Sequence, residues 1–222
     1  MSYTQFHGTG SVTLPDKVIR ERYFKDYGYA GTYLDVGAAG PINMSNSYHF
    51  RRNGWRILSV EANPEFCKMH RDMGFEIAEC AVAEESRPEA DFSIIVSGPP
   101  EAASSLGGTE RDWGKDWSGY HLVNEISHAE KRIIRVKVLT LDDVMRNFFP
   151  DVEKIDVLDV DVELGEMGVL KGFDLAKHRP EVCVIEDHKP ELSGIGKHMK
   201  ERGYRLDYMA LPDSYYVRAG TP

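Results

Sequence analysis

A short apolar run that ends in a small-residue turn constrains this chain more than any other stretch. The run is Tyr33–Val36, and the turn that follows it is Gly37-Ala38-Ala39-Gly40. An apolar strand that enters such a turn and then a helix brings backbone N–H groups close to a ligand. Glycine lacks Cβ, so Gly37 and Gly40 can adopt positive φ and let a ligand approach the backbone. The stretch predicts a nucleotide-type site, with a plain turn as the alternative.

A second apolar run supports the nucleotide interpretation. Trp55–Val60 has the composition of a strand and is followed by Glu61, about 20 residues beyond the turn, where an acid can meet two ribose hydroxyls. A dinucleotide site needs G-x-G-x-x-G, but Ala39 stands at the middle glycine position. Asp35 would repel a pyrophosphate and could receive the ammonium of a methionine-like tail. These two positions favour S-adenosylmethionine over NAD.

Length and charge exclude several classes of protein. The 222 residues, 41% of them hydrophobic, predict a single domain over residues 1–222. A net charge of −9 without a basic run argues against a nucleic-acid partner. The chain has no secretory signal pattern and no apolar run near the roughly 18 residues of a membrane span, so we expect a cytoplasmic protein. Cys67, Cys80 and Cys183 have no C-x-x-C spacing, which predicts buried free thiols.

Strands and helices alternate through the first part of the chain. Helical spacing over Leu14–Tyr27 predicts an N-terminal helical cover within residues 1–30. A helix is also predicted within Pro41–Asn53. Another helix starts at Asn63-Pro64-Glu65, with a buried stripe predicted at Phe66, Met69 and Met73, and precedes a third strand at Phe75–Cys80. The short links between these segments predict parallel strands with helices on their faces.

The alternation breaks at residues 91–138. Asp91–Val96 and Arg132–Val138 have strand patterns, and Ser97–Glu130 between them is rich in Gly, Ser, Trp and charge. We interpret this region as a β-hairpin insertion whose long loop lies over the mouth of the cofactor site. Aromatic side chains on the loop are available to stack on a sugar face: Trp113, Trp117 and Tyr120.

The regular alternation resumes at Thr140, which starts a helix with a capping box. The remaining predicted segments are the strands Ile155–Val160 and Glu181–Ile185, the helices Gly165–Lys171 and Glu191–Arg202, and a final antiparallel pair, Tyr204–Met209 and Tyr215–Arg218. The predicted fold class is therefore α/β and Rossmann-like. Its sheet is expected to have seven mostly parallel strands with an antiparallel last strand.

Carboxylates collect where two neighbouring strands are expected to end. Asp159, Asp161 and Glu163 lie at the carboxyl end of one strand, and Glu186 and Asp187 end the next. Alternation would place the first three on one side. Crowded carboxylates repel one another unless a cation or a substrate donor lies among them. One hypothesis is that Asp161, Glu186 and Asp187 bind Mg²⁺; the alternative is a solvated strand end followed by helix N-terminal acids such as Glu166.

The eight histidines show no zinc spacing, so proton transfer is the role considered for them. His188 follows the acidic pair, and His121 and His128 lie in or just after the long loop, which makes these three the better candidates. His7 and His70 are expected at the surface. The chain has no G-x-S-x-G, no phosphate-loop motif and no H-E-x-x-H.

Several blocks together give the chain a family likeness. They are Tyr33-Leu34-Asp35-Val36-Gly37-Ala38, Gly54-Trp55, Val60-Glu61-Ala62-Asn63-Pro64, Thr140-Leu141-Asp142-Asp143-Val144, Asp156 through Glu163 with Glu166, Val169-Leu170-Lys171-Gly172, Arg179-Pro180 and Ile185-Glu186. In this order they resemble the FkbM family of S-adenosylmethionine-dependent methyltransferases, over about Asp16 to Glu186. The family's usual Asp-x-Glu-Gly-x-Glu block appears with its glycine one place late, at Gly165.

The resemblance implies the seven-stranded class I methyltransferase fold and O-methylation of sugar or polyketide hydroxyls. Glu186-Asp187 also resembles the metal-binding acids of Mg²⁺-dependent macrolide-sugar O-methyltransferases. We therefore expect an S-adenosylmethionine-dependent O-methyltransferase with a small-molecule or glycan acceptor. A non-sugar acceptor, a silent nucleotide-binding scaffold and a homo-oligomer all stay open.

Specific residues are assigned to each expected role. The cofactor-binding set is Asp35, Gly37, Ala38, Gly40, Glu61, Ala62, Asn63, Ala81 and Asp159, with Glu61 on the ribose and Ala81 beside the adenine. The catalytic set is Asp161, Glu163 and His188, with Asp161 as the first choice of base. The hypothetical metal set is Asp161, Glu186 and Asp187.

Overall fold

Strands and helices alternate along most of the chain in a mixed α/β fold. A computed structural model describes residues 2–8, 14–43, 45–95, 105–106 and 131–220. The helices are α1 (Pro15–Arg22), α2 (Tyr48–Arg52), α3 (Pro64–Asp72), α4 (Leu141–Phe148), α5 (Glu166–Lys171), α6 (Leu175–His178), α7 (Pro190–Ser193) and α8 (Ile195–Glu201). The strands are β1 (Thr32–Val36), β2 (Arg56–Glu61), β3 (Ile77–Glu79), β4 (Ala81–Val82), β5 (Arg87–Ile95), β6 (Ser105–Leu106), β7 (Lys131–Leu139), β8 (Val157–Val160), β9 (Val182–Glu186), β10 (Tyr204–Ala210) and β11 (Asp213–Arg218).

The main sheet has seven strands in the order β10-β11-β9-β8-β1-β2-β3. Strand β1 pairs in parallel with β2 on one side and with β8 on the other, and β8 pairs in parallel with β9. Strand β11 runs antiparallel to both β9 and β10. The prediction of a seven-stranded, mostly parallel sheet is confirmed, and the order is compatible with a Rossmann-like fold. The carboxyl end of β1 lies between those of β2 and β8, where such sheets bind ligands.

The central strands are buried on both faces, as parallel strands covered by helices usually are. In β1, Leu34 and Val36 face one apolar cluster, which α4, α5 and α8 also line. Tyr33 faces a second cluster with Ile19 of α1 and Phe50 of α2. Alternate residues of one strand therefore hold two helical layers against the sheet.

A smaller sheet has the order β4-β7-β5-β6. Strands β5 and β7 pair antiparallel from Arg87↔Val138 to Ile95↔Lys131, and β4 runs parallel to β7. Most of the predicted long loop, including Trp113, Trp117, Tyr120, His121 and His128, lies outside the described residues. The position of the loop over the cofactor site therefore stays a prediction.

Several helices differ from their predicted bounds. The helix expected within Pro41–Asn53 begins only at Tyr48, and the one expected over Glu191–Arg202 divides at Gly194, whose φ is +76°. The predicted buried stripe of α3 is wrong: Cys67 and His70 are buried, whereas Met69 is 48% exposed. Successive residues of a helix differ in direction by about 100°, so an assignment of the buried positions that was off by one residue placed the buried face on the wrong side of α3.

The segment formed by residues 2–8 packs against α2 without forming a helix. Tyr3 exchanges hydrogen bonds with the Asn53 side chain, and Phe6 stacks on His49 with ring centroids 4.4 Å apart. All three cysteines are buried and free, as predicted. Within the described ranges, every helix is too short or too polar to cross a membrane.

Candidate functional site

Three backbone amides of the glycine turn are already bonded within the protein. The N–H groups of Gly37 and Ala38 both donate to the carbonyl oxygen of Val60, over 2.9 and 3.2 Å. The N–H of Ala39 donates to Oε2 of Glu61 over 2.9 Å. In the free protein both N–H groups are therefore bonded to β2, which holds the turn at the end of the second strand. The binding of a ligand at Gly37 and Ala38 stays a prediction.

The glycine at position 37 serves a close approach between two loops. Its φ is +89°, and a Cβ placed on it would lie 1.7 Å from the carbonyl oxygen of Asp161. The amide of Asp161 in turn donates to the carbonyl oxygen of Val36 over 2.9 Å. A Cβ on Gly40 would meet only the carbonyl oxygen of Asn43, at 3.6 Å. Gly37 is therefore required by the protein's own backbone, whereas Gly40 is not.

Asp35 lies at the carboxyl end of β1 and is 5% exposed. Burial raises the pKa of Asp35 to about 6, while a hydrogen bond from Ser47 and the charge of Arg51 oppose the rise. Oδ2 of Asp35 is buried and has no hydrogen-bond partner among the residues that the structure describes. Ser47 and Arg51 were missed in the sequence because the stretch after the turn carries no spacing that points to Asp35. The carboxylate has capacity for one more donor.

Glu61 binds the backbone around it in the free protein. Its Oε1 accepts the N–H groups of Ala62 and Asn63 over 2.8 and 2.7 Å, and Oε2 accepts that of Ala39. Burial raises the pKa of Glu61, and these three bonds oppose the rise. The side chain of Asn63 caps α3 by accepting the N–H of Glu65. Glu61 is thus held rigidly at the end of β2.

Ala81, which was predicted to lie beside the adenine, and Ala62 of the predicted cofactor-binding set occupy one apolar cluster. Ala62 and Ala81 pack together with Phe92, Val136 and Val138, which come from the antiparallel pair β5 and β7. The structure therefore brings the ends of β2 and β3 under the smaller sheet. This surface beside Glu61 is apolar, as the planar face of a base requires.

His70 belongs to the site although it was expected at the surface. The side chain is 2% exposed, and Nε2 lies 3.0 Å from the carbonyl oxygen of Ala39 in the turn. Burial lowers the pKa of His70, so the ring is neutral at pH 7. The i, i+3 spacing of Cys67 and His70 was the signal that could have placed both on the buried face of α3.

Asp159 lies deeper than the other acids. Its Oδ2 accepts a hydrogen bond of 2.7 Å from the hydroxyl of Tyr33, which is fully buried on β1. Burial and the charge of Asp35 raise the pKa of Asp159 well above its ordinary value. Asp159 is therefore buried below the carboxyl ends of the strands, and its hydrogen-bond partner is Tyr33 on the neighbouring strand.

The predicted catalytic residues share one acidic cluster at the ends of β8 and β9. A hydrogen bond joins Asp161 with Glu186, and burial raises the pKa of both carboxyl groups. Burial, then the charges of Asp161 and Glu166, raise the pKa of Glu163 well above its ordinary value. Nε2 of His188 lies 3.0 Å from Oε1 of Glu186, and burial lowers the pKa of His188.

The loop between β8 and α5 is shaped by Glu166. Its Oε1 accepts the N–H groups of Val162 and Leu164 over 3.2 and 3.0 Å. Leu164 occupies the place of the glycine in the Asp-x-Glu-Gly-x-Glu block, and its φ is +72°. Glu163 before it also has a positive φ, of 57°. Strand β8 ends at Val160, so strand alternation does not set the directions of Asp161 and Glu163.

The predicted magnesium site is not supported. Asp187 is bound to α7 instead, because Oδ1 accepts the N–H of Lys189 over 3.2 Å and Oδ2 accepts the hydroxyl of Ser193 over 2.7 Å. Asp161 and Glu186 are hydrogen-bonded to each other. In the part of the chain that the structure describes, no group of three or more His, Cys, Asp or Glu side chains is placed to hold a metal ion.

The remaining arrangement suits a cationic ligand. The acids around the ends of β1, β8 and β9 have raised pKa values because they are buried close together, as shown for Asp35, Asp159, Asp161, Glu163 and Glu186. A positive charge among them would favour their ionised forms and offset part of the repulsion.

Comparison with known proteins agrees with this geometry at the level of the family. Comparing the chain with curated proteins and with solved structures finds no match. The methyltransferase FkbM domain matches residues 35–206. In the main sheet the matched range contains β2, β3, β8 and β9 completely and β1 and β10 in part, and it ends before β11. The match extends over well more than half of the chain, and the chain therefore belongs to the FkbM methyltransferase family.

Proposed function

We propose that this methyltransferase uses S-adenosylmethionine to methylate a hydroxyl group of a sugar or of a glycosylated or polyketide metabolite. The observation that carries the cofactor proposal is Oδ2 of Asp35, a buried carboxylate oxygen at the end of β1 with no hydrogen-bond partner in the described chain. The ammonium of a methionine-like tail supplies the missing donor and a compensating charge. A ligand without a hydrogen-bond donor at this position would leave this oxygen without a partner.

The other predicted positions fit the same cofactor. Glu61 lies at the end of β2, where a carboxylate meets ribose hydroxyls in sheets of this topology. Ala62 and Ala81 supply an apolar surface for the adenine. Arg51, whose charge acts on Asp35, is available for the carboxylate of the methionine tail. The strand order is also the one expected for a class I methyltransferase fold.

Asp161 is the proposed base. When bound, S-adenosylmethionine supplies an electrophilic methyl group, so the protein's main tasks are to orient the hydroxyl and to accept its proton. Asp161 is hydrogen-bonded to Glu186, and burial raises its pKa, so its carboxylate is a stronger base than that of an exposed aspartate and can take that proton. Glu163 is buried near Asp161, and Nε2 of His188 lies 3.0 Å from Oε1 of Glu186.

Calorimetric titration with S-adenosylhomocysteine, run beside NAD, tests the cofactor proposal. We expect micromolar binding of S-adenosylhomocysteine alone, weakened about tenfold or more in Asp35→Asn because a charge-assisted bond is lost. Asp72→Asn is the matched control, since this acid is exposed on α3 and pairs with Lys68. Binding of NAD instead, or equal binding in both variants, would contradict the proposal.

Methyl transfer to a panel of glycans and polyketides tests the reaction. Asp161→Asn should lower kcat by roughly 100-fold or more while leaving the affinity for S-adenosylhomocysteine within about threefold. Tight cofactor binding without transfer to any hydroxyl of the panel would instead favour a non-catalytic nucleotide-binding module.

A further inference from the structure

A cavity of about 480 Å³ opens at the edge of the main sheet opposite the candidate active site. Its lining includes Arg179 before β9, Tyr204 at the start of β10 and Arg218 at the end of the antiparallel β11. Tyr204 pairs directly with Arg218 in the sheet. The acids of the active site lie at the other ends of these strands, about 17 Å away by the length of the five-residue β9.

Three arginine residues line this cavity: Arg179, Arg202 and Arg218. None of the described residues that line it is acidic, and none of the three arginines forms an ion pair within the described chain. The nearest acids in the sequence are engaged elsewhere: Glu181 pairs with Lys154, and Glu201 lies 3.9 Å from Lys197. In a chain with a net charge of −9, this is a local excess of positive charge.

Arg218 supplies a second, independent observation. Its Nε atom is buried and has no hydrogen-bond partner among the described residues. A buried donor without a partner costs free energy, and the side chain that carries it belongs to a residue that lines the cavity. The floor of the cavity is fixed, because the hydroxyl of Tyr204 donates to the carbonyl oxygen of Pro180 over 2.8 Å. Gly203 and Gly220 leave the rim open.

We propose that this three-arginine cavity is a binding site for a phosphate group, separate from the candidate active site. Guanidinium groups match the geometry of phosphate oxygens and bind them through paired N–H donors. The phosphate comes either as free inorganic phosphate or as part of a phosphorylated metabolite. The proposal does not depend on the proposed methyl transfer.

Calorimetric titration of the full chain with inorganic phosphate and with AMP, at constant ionic strength, tests the site. We expect saturable binding that Arg179→Gln and Arg202→Gln each weaken by about fivefold or more. Both side chains are exposed, so these variants keep the fold. Lys200→Gln is the matched control, because it removes an exposed charge two residues from Arg202 and outside the lining; its affinity should change less than about twofold.

Equal affinity for both ligands assigns the site to free phosphate, and tighter binding of AMP assigns it to a phosphorylated metabolite. No saturable binding, or binding that the arginine variants leave unchanged, would overturn the proposal. Loss of phosphate binding in Asp35→Asn with normal binding in Arg179→Gln would also overturn it, since the ligand would then be in the active site.

Discussion

Gly37 allows two parts of the candidate site to contact each other. Its positive φ and its contact with Asp161 let the ends of β1 and β8 approach more closely than any side chain would allow. The contact also positions the segment after β8, which contains Asp161, Glu163 and Glu166. Gly37 therefore sets the position of the proposed base, Asp161, relative to the proposed cofactor site at the end of β1.

Gly37→Ala should destabilise the protein by more than about 2 kcal/mol, because the methyl group meets a backbone carbonyl and the φ is unfavourable. Gly40→Ala should cost less than about 1 kcal/mol, since its Cβ has room. Urea unfolding of both variants measures the difference. Equal losses would show that the close approach of the two loops is not what the glycine provides.

Asp213 gives stability a pH dependence. Burial and the charge of Asp161 raise its pKa from 3.8 to about 7. The folded state then binds more protons than the unfolded state, so the free energy of unfolding contributed by this group falls as the pH rises between these two values.

Asp213→Asn should therefore lose less stability than the wild type between pH 5 and pH 8, by on the order of 1–3 kcal/mol. Urea unfolding at the two pH values gives the comparison. Asp207→Asn is a suitable control, because ion pairs with Arg22 and Arg205 hold the pKa of Asp207 below its ordinary value. An unchanged pH dependence in Asp213→Asn would contradict the assigned burial cost.

Helix α2 connects the N-terminal segment with the site. The side chain of Asn53, which follows this helix, donates to the carbonyl oxygens of Tyr3 and His49 over 3.0 and 2.9 Å and accepts the N–H of Tyr3. Arg51 on the same helix acts on Asp35. Residues 2–8 thus support the helix that carries a charged neighbour of the proposed cofactor site.

Asn53→Ala should lower the free energy of unfolding by about 1–2 kcal/mol, because three hydrogen bonds are lost. The amides of residues 2–8 should exchange faster with deuterium, as a locally opened segment does. Lys17→Ala, at an exposed position of α1, should change neither quantity. Unaltered exchange of the segment in Asn53→Ala would show that the stacking of Phe6 on His49 suffices to hold it.

Negative and positive side chains lie at opposite ends of the strands of the main sheet. Buried carboxylates collect at the carboxyl ends of β1, β8 and β9, and three arginines meet at the opposite edge. Parallel strands produce such a division because all their carboxyl ends lie on one side. A cationic ligand and an anionic ligand would therefore bind at opposite edges.

Binding of a cationic ligand at the acidic edge should release protons. Asp35 has a pKa of about 6 in the free protein, and an ammonium beside it would favour the carboxylate. Titration with S-adenosylhomocysteine at pH 5.5, in buffers of different ionisation enthalpy, should therefore show a release of up to about one proton that Asp35→Asn abolishes. Proton uptake, or equal release in Asp35→Asn, would place the ligand's charge elsewhere.

The resemblance of several sequence blocks predicted the family. Periodicity and turn chemistry were enough to predict the seven-stranded, mostly parallel sheet and the carboxyl edge at which Asp35, Glu61 and Asp161 lie. These features follow from local spacing, since apolar alternation defines strands and short links define parallel order. The partners of individual side chains were decided by packing between distant segments. His70 is bonded to the turn, Asp187 to α7, and the amides of Gly37 and Ala38 to β2. The arginine cavity likewise brings together Arg179 and Arg218, which are 39 positions apart in the sequence, because only the folded sheet places the start of β9 beside the end of β11.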